Sequence, residues 1–176
     1  MMNEANAAPD FRMAAAANKR PKAVADGVGG MLLATAEVPA PPERTFAALM
    51  TREVERWWKL PGVHRQKDWR ADLRPQGGWS VCAELCDGRS FDEWGEICAV
   101  EAPNRIVLTR HFVANPLVGE RETTLAYRFE PPPHGTLITL REDGFLGRPQ
   151  AAHGNAENWE MVLGWLDAYL SAGRSS

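Results

Sequence analysis

Two charged residues interrupt otherwise apolar rows in this sequence, and they mark the first place to look for chemistry. With the two-residue period of a strand, "RIVLTRHFV" at 105–113 puts Ile106, Leu108, Arg110 and Phe112 on one face. The same period groups Leu125, Tyr127 and Phe129 in "TLAYRFE", and Ile138, Leu140 and Glu142 in the next run. A charge buried alone is costly, so Arg110 must be paired, solvated or at a rim. Glu142 is the expected partner, with the Tyr127 hydroxyl between them. In an apolar pocket such a pair orients a ligand, and a carboxyl there is also the kind of group that serves as an acid or base. The plainer alternative is two solvated strand-end charges. His111 falls on the opposite face from Arg110 and is expected at the surface.

Aromatic residues supply the other candidates. In "REVERWW", Val54, Trp57 and Trp58 stand at i, i+3 and i+4, the spacing of a buried helix face. Adjacent helical residues point about 100° apart, so both indoles cannot occupy the middle of one stripe. Trp58 is assigned to the mouth of a cavity, with Trp57 packed under the sheet edge. Trp79 shares a strand face with Val81 and Ala83 and either lines the pocket or fills it, and Trp94 comes from the neighbouring hairpin arm.

Other chemistries lack their signatures. Cys82, Cys86 and Cys98 form no C-x-x-C pair, and His64, His111, His134 and His153 are scattered, so no metal site is expected and the cysteines read as small strand hydrophobes. There is no G-x-S-x-G elbow, phosphate loop, dinucleotide fingerprint or haem attachment signal, and no cofactor is expected. A net charge of −3 gives no field to hold a polyphosphate, which argues against nucleic acid. No apolar run reaches the roughly 18 residues of a membrane span, and the alanine-rich start lacks the order of a secretory signal. The expected location is cytoplasmic.

These candidates need elements to hold them. A chain of 176 residues suits one domain. Residues 1–30, with little periodicity, read as a disordered tail, and 31–173 as the domain. "MLLATAEV" reads as a strand, followed by a helix entered through prolines and a second short helix ended by Pro61 and Gly62. Breakers then separate strands near 68–74, 79–86, 91–101, 105–113, 122–130 and 136–143, and connections this short imply an antiparallel meander. "NAENWEMVLGWLDAYLSAG" reads as a long helix whose stripe includes Trp159, Val162, Leu163, Leu166 and Leu170, with Gly173 as terminator. The fold class is α+β: a curved antiparallel sheet of about seven strands around a long C-terminal helix.

The segments "APPERTFAALMTREVERWW", "DLRPQGGW", "GEICAVEAPNRIVLT", "LAYRFEPPPHGTLITLREDGF" and "NWEMVLGWLDAYL", in this order over about residues 31–172, resemble the START-like (SRPBCC) superfamily. The similarity is to the branch of the C-terminal domain of Aha-type activators of the heat-shock-90 chaperone ATPase. It implies the helix-grip fold, with an elongated cavity between sheet and last helix. The superfamily contains lipid carriers, hormone receptors, cyclases and co-chaperone domains, so fold alone does not choose among them. The leading expectation is a binder of a small hydrophobic or aromatic molecule, with Trp58, Trp79, Arg110, Phe112, Tyr127, Glu142, Trp159 and Leu163 as ligand-binding residues. The alternatives are a cyclase- or hydrolase-like enzyme using the same cavity and a chaperone-interacting module. A chaperone partner is disfavoured because Aha-type activators typically carry a separate N-terminal domain where this chain has a tail. A homodimer is left open.

Overall fold

A computed structural model describes residues 20–112 and 122–173. The chain order is β1 (Lys22–Asp26), β2 (Met31–Val38), α1 (Pro42–Met50), α2 (Val54–Trp57), β3 (Lys59–Leu60), β4 (His64–Ala71), β5 (Gly78–Leu85), β6 (Ser90–Glu101), β7 (Arg105–Phe112), β8 (Thr123–Glu130), β9 (Thr136–Asp143) and α3 (Pro149–Ala172). The strands form one nine-stranded antiparallel sheet in the order β1-β2-β9-β8-β7-β6-β5-β4-β3. From β3 to β9 each strand lies beside the one before it in sequence, while α1 and α2 carry the chain from β2 to β3 at the far edge, so that the last strand, β9, returns to pair with β2.

The sheet curves around α3, which buries Ala152, Trp159, Val162, Leu163, Leu166 and Leu170 against it. Residues recurring at three- and four-residue intervals make that stripe, and its apolar burial is the main stabilising term. Two register shifts bend the sheet, one in β4 between Lys67 and Arg70 and one in β6 between Ile97 and Ala99. Asp68 sits at a φ of 56° within the first, the geometry of an extra residue inserted into a strand.

The helix-grip α+β architecture and its meander follow the sequence reading, with four differences. The sheet reaches back to Lys22 rather than starting at Met31. β1 pairs along β2, Ala23 and Ala25 rest on the core, and the Ala23 N–H donates to Glu160 Oε1 at 2.9 Å. Small alanines carried too weak an apolar signal to show this. The remainder of the expected tail, residues 1–19, lies outside the described residues. β4 occupies His64–Ala71 instead of 68–74, because 72–77 turns on itself: Asp72 N–H donates to the Gly78 carbonyl at 2.9 Å and Gln76 N–H to Ile97 at 2.8 Å. α3 starts at Pro149, six residues ahead of the Asn155 start, since its first turns bury only alanines and Asn155, which carry no strong apolar signal. Cys82 is half-buried and Cys86 and Cys98 are exposed, so the last two are not core hydrophobes.

Among the described residues no helix is long and apolar enough to cross a membrane.

Candidate functional site

Arg110 lies inside the domain, and the strand register explains its company. It stands opposite Thr123 on β8, while Glu142 of β9 stands opposite Leu125, one step away along the same face. On the other side, β6 brings Glu93 diagonally across from Arg110, opposite Phe112. The three charged side chains are 4%, 6% and 0% exposed for Arg110, Glu93 and Glu142, which makes a buried cluster and not a set of solvated strand ends.

Its hydrogen bonds are closely specified. Arg110 Nε and Nη2 donate to Glu93 at 3.0 and 3.2 Å, and Nη1 donates to Glu142 Oε1 at 3.2 Å. Thr123 Oγ1 donates to the same Glu142 oxygen at 2.8 Å, and Trp159 Nε1 donates to the other at 2.8 Å. The guanidinium also lies 5.7 Å from the centroid of the Trp159 ring. Burial works against the Arg110 charge, but Glu93 and Glu142 outweigh it and hold its pKa above the ordinary value. All four carboxylate oxygens therefore face protein donors, an arrangement suited to holding side chains in place. Thr123 supplies the hydroxyl expected from Tyr127. Burial, aided by the two carboxylates and opposed by Arg110, pushes the Tyr127 phenol far up, so it stays neutral.

The cluster borders two adjacent spaces. An inner chamber of about 30 Å³ is enclosed by Leu49, Met50 and Val54 below, and by Trp69, Trp79, Val81, Leu108, Leu125, Tyr127 and Trp159 around it. An outer cleft of about 550 Å³ opens between the first half of α3, at Asn155, Asn158 and Met161, and the β3–β6 face, at Leu60, His64, Leu85 and Phe91. Trp58, Gln66, Glu93 and Arg110 line both, and so form the boundary that the two spaces share, the neck of the site.

Trp58 makes that neck aromatic. Its ring stacks on Trp57 at 5.5 Å and meets Trp159 edge-on at 5.6 Å. Trp57 is 4% exposed and donates its indole N–H to the Ala48 carbonyl at 2.9 Å, so the adjacent tryptophans divide into one core anchor and one cavity wall. Trp79 is fixed by a different device. Its indole crosses β6 at Gly95 and donates to the Thr109 carbonyl at 2.8 Å. A Cβ on Gly95 would lie 1.9 Å from that carbonyl oxygen and 2.7 Å from the indole nitrogen, so only glycine fits.

Of the residues proposed from sequence, Trp58, Trp79, Arg110, Tyr127 and Trp159 come together on the chamber wall. Glu142 does not line it and stands behind Arg110 and Trp159. Leu163 is fully buried in the core away from both spaces. Phe112 ends β7, and its side chain lies outside the described part. Trp94 faces outward and stacks on His111 at 5.6 Å, while His111 pairs with Glu122 at 2.8 Å.

Sequence reasoning missed Glu93, Thr123, Trp69 and Gln66. Glu93 was findable, because it interrupts the apolar row Phe91, Gly95, Ile97 as Arg110 interrupts its own. Gln66 and Trp69 both face inward only because the bulge at Asp68 resets the strand period, which no alternation rule anticipates. His64, in the cleft, is held below its ordinary pKa by burial, against the pull of Glu93. Among the described residues no group of His, Cys, Asp or Glu converges as a metal site.

Solved structures share this architecture. Protein Ms6760 from Mycobacterium smegmatis superposes with a TM-score of 0.71 at 24% identity, covering 85% of this chain and 95% of its own. A Rhodobacter sphaeroides protein gives 0.74 at 20% identity, covering 86% and 99%. The AHSA1-like protein from Aeromonas hydrophila gives 0.67 at 19% identity, covering 83% and 95%. At these identities the likeness is one of fold. No curated protein matches in sequence. The family signature itself runs over residues 39–171, from the entry to α1 through nearly all of α3, and it spans every element that walls the chamber. The chain therefore belongs to the family described as activator of Hsp90 ATPase homolog 1-like protein, a branch of the START-like superfamily.

Proposed function

We propose that this protein binds a small apolar or aromatic molecule whose body lies in the outer cleft and whose tip enters the inner chamber. The observation that carries the reading is the neck, where Trp58 and the buried Arg110–Glu93 pair border both spaces. Ligand sites are typically concave and apolar with a few convergent polar groups, and that is the composition here. Trp58 offers the cleft a flat face for stacking, and Trp69, Trp79, Tyr127 and Trp159 make the chamber beyond it aromatic. The carboxylates are committed to Arg110, Thr123 and Trp159, which supports binding over proton-transfer chemistry on the bound molecule. The family description names activation of an Hsp90 ATPase, and for that reading the support is family membership alone.

The test is native mass spectrometry of the purified protein, with solvent extraction of whatever dissociates. A retained small organic mass is expected. Saturable ANS binding that Trp58→Ala weakens should accompany it. A bare polypeptide mass together with ANS binding indifferent to Trp58→Ala would defeat the proposal. An extracted molecule that changes chemically on incubation with fresh protein would replace binding with catalysis.

A further inference from the structure

Resting on the ligand-binding reading, we propose that Gln66 selects the ligand, and that the molecule taken is a neutral, flat apolar compound presenting a hydroxyl and not a carboxylate. Gln66 is 5% exposed and lines both chamber and cleft at the neck. Its Oε1 is the one buried side-chain oxygen or nitrogen without a hydrogen-bond partner among the described residues. Buried polar groups are almost always satisfied, so an unmet acceptor on a side chain that lines a ligand space is an unfilled half of an interaction. A ligand O–H completes it. An ether or a hydrocarbon in the same place does not, and it also excludes any water that would.

The surrounding charge decides what kind of polar group is admitted. Arg110 is the cation of the neck, and its Nε, Nη1 and Nη2 donate to Glu93 and Glu142. Its charge is already answered by Glu93 on the wall and Glu142 behind it. A carboxylate ligand would meet like charge in a place where water screens little, and would have to compete for donors already engaged. A hydroxyl carries no such penalty. Size sets the rest: a chamber of about 30 Å³ admits a few atoms at most, so the ring system must lie in the cleft against Trp58, with the hydroxyl at the neck.

Four naphthalenes of similar size separate the possibilities: 1-naphthol as donor, 1-methoxynaphthalene without a donor, 1-acetonaphthone as acceptor and 1-naphthoate as anion. Affinities are measured by calorimetry for the wild type and for Gln66→Met, which keeps the length and apolar volume of the side chain. In the wild type, 1-naphthol should bind about tenfold tighter than 1-methoxynaphthalene, and 1-naphthoate more weakly than either. In Gln66→Met the first two should agree within about twofold, through loss of naphthol affinity.

Equal affinities in the wild type, or an unchanged ratio in the variant, would overturn the role of Gln66 and leave the cavity reading standing. A preference for 1-acetonaphthone would mean that the amide presents its N–H, which overturns the proposal as well. If none of the four binds, the cavity reading falls and this one with it. Should Gln66→Met not fold by circular dichroism, the wild-type ratios still decide, and Gln66→Asn, which withdraws the acceptor by one methylene, gives the second test.

Discussion

Arg110 satisfies two carboxylates with one charge, and removing it should cost more than removing either acid. Arg110→Met leaves Glu93 and Glu142 buried without their cation, and breaking such a pair from one side typically costs about 3–5 kcal/mol. Arg110→Met combined with Glu142→Leu should be less damaging than the sum of the two, since one orphaned acid is gone. Adding Glu93→Gln should recover more still. Urea denaturation of the singles, the double and the triple gives the coupling directly, and strict additivity would mean that the three side chains act independently. A second residue-scale effect concerns His64. Its pKa is below the ordinary 6.5, so on acidification the unfolded chain takes up the proton first. Stability is therefore fully present above about pH 6.5 and is lost as pH falls from there through the depressed folded value. Melting temperatures between pH 7.5 and 5 should fall less steeply in His64→Gln than in the wild type. Parallel curves would remove His64 as the source. At this scale the sequence was partly legible: a charge in an apolar row exposed Arg110 and Glu142, while Gln66, one polar residue in the polar run "HRQK", offered no contrast to notice.

At the scale of elements, β1 is the piece that sequence periodicity concealed. It pairs along the outer edge of β2, and its inward residues are alanines, whose small burial does not stand out in an alanine-rich terminus. A chain beginning at Gly30 loses that strand and the Ala23–Glu160 hydrogen bond. Relative to a chain beginning at Arg20, the loss should be on the order of 2 kcal/mol, or about 4–8 °C in melting temperature for a domain of this size. Coincident melts would mean that β1 docks without stabilising. The larger strands were easier to read because Leu125, Tyr127 and Phe129, or Ile106 and Leu108, alternate cleanly with polar neighbours. Where a bulge intervenes, as in β4, alternation breaks and the inward positions can be known only from the pairing with β5.

For the whole molecule, the mismatch between a small chamber and a roomy cleft predicts that the proposed ligand would enter by moving one part of the wall, built from its shortest elements. That part is α2, four residues long, and the two-residue β3 after it. Trp58 N–H bonds back to Val54 at 2.9 Å, Gln66 N–H to Trp58 at 3.1 Å, and β3 pairs with β4 over two residues. Short elements with few such bonds open most readily. Hydrogen exchange with saturating 1-naphthol should therefore slow across residues 54–66 and leave β8 and β9 unchanged. A uniform change, or none, would place the binding elsewhere.

The clustering of indoles has an optical consequence. Of the seven tryptophans, Trp58, Trp69, Trp79 and Trp159 border the inner chamber, and Trp94 is the one that stands on the outer surface. Four of the seven intrinsic ultraviolet emitters therefore stand at the proposed binding space. Trp94→Phe would remove the outward-facing emitter and leave a protein whose own fluorescence reports occupancy without any attached dye.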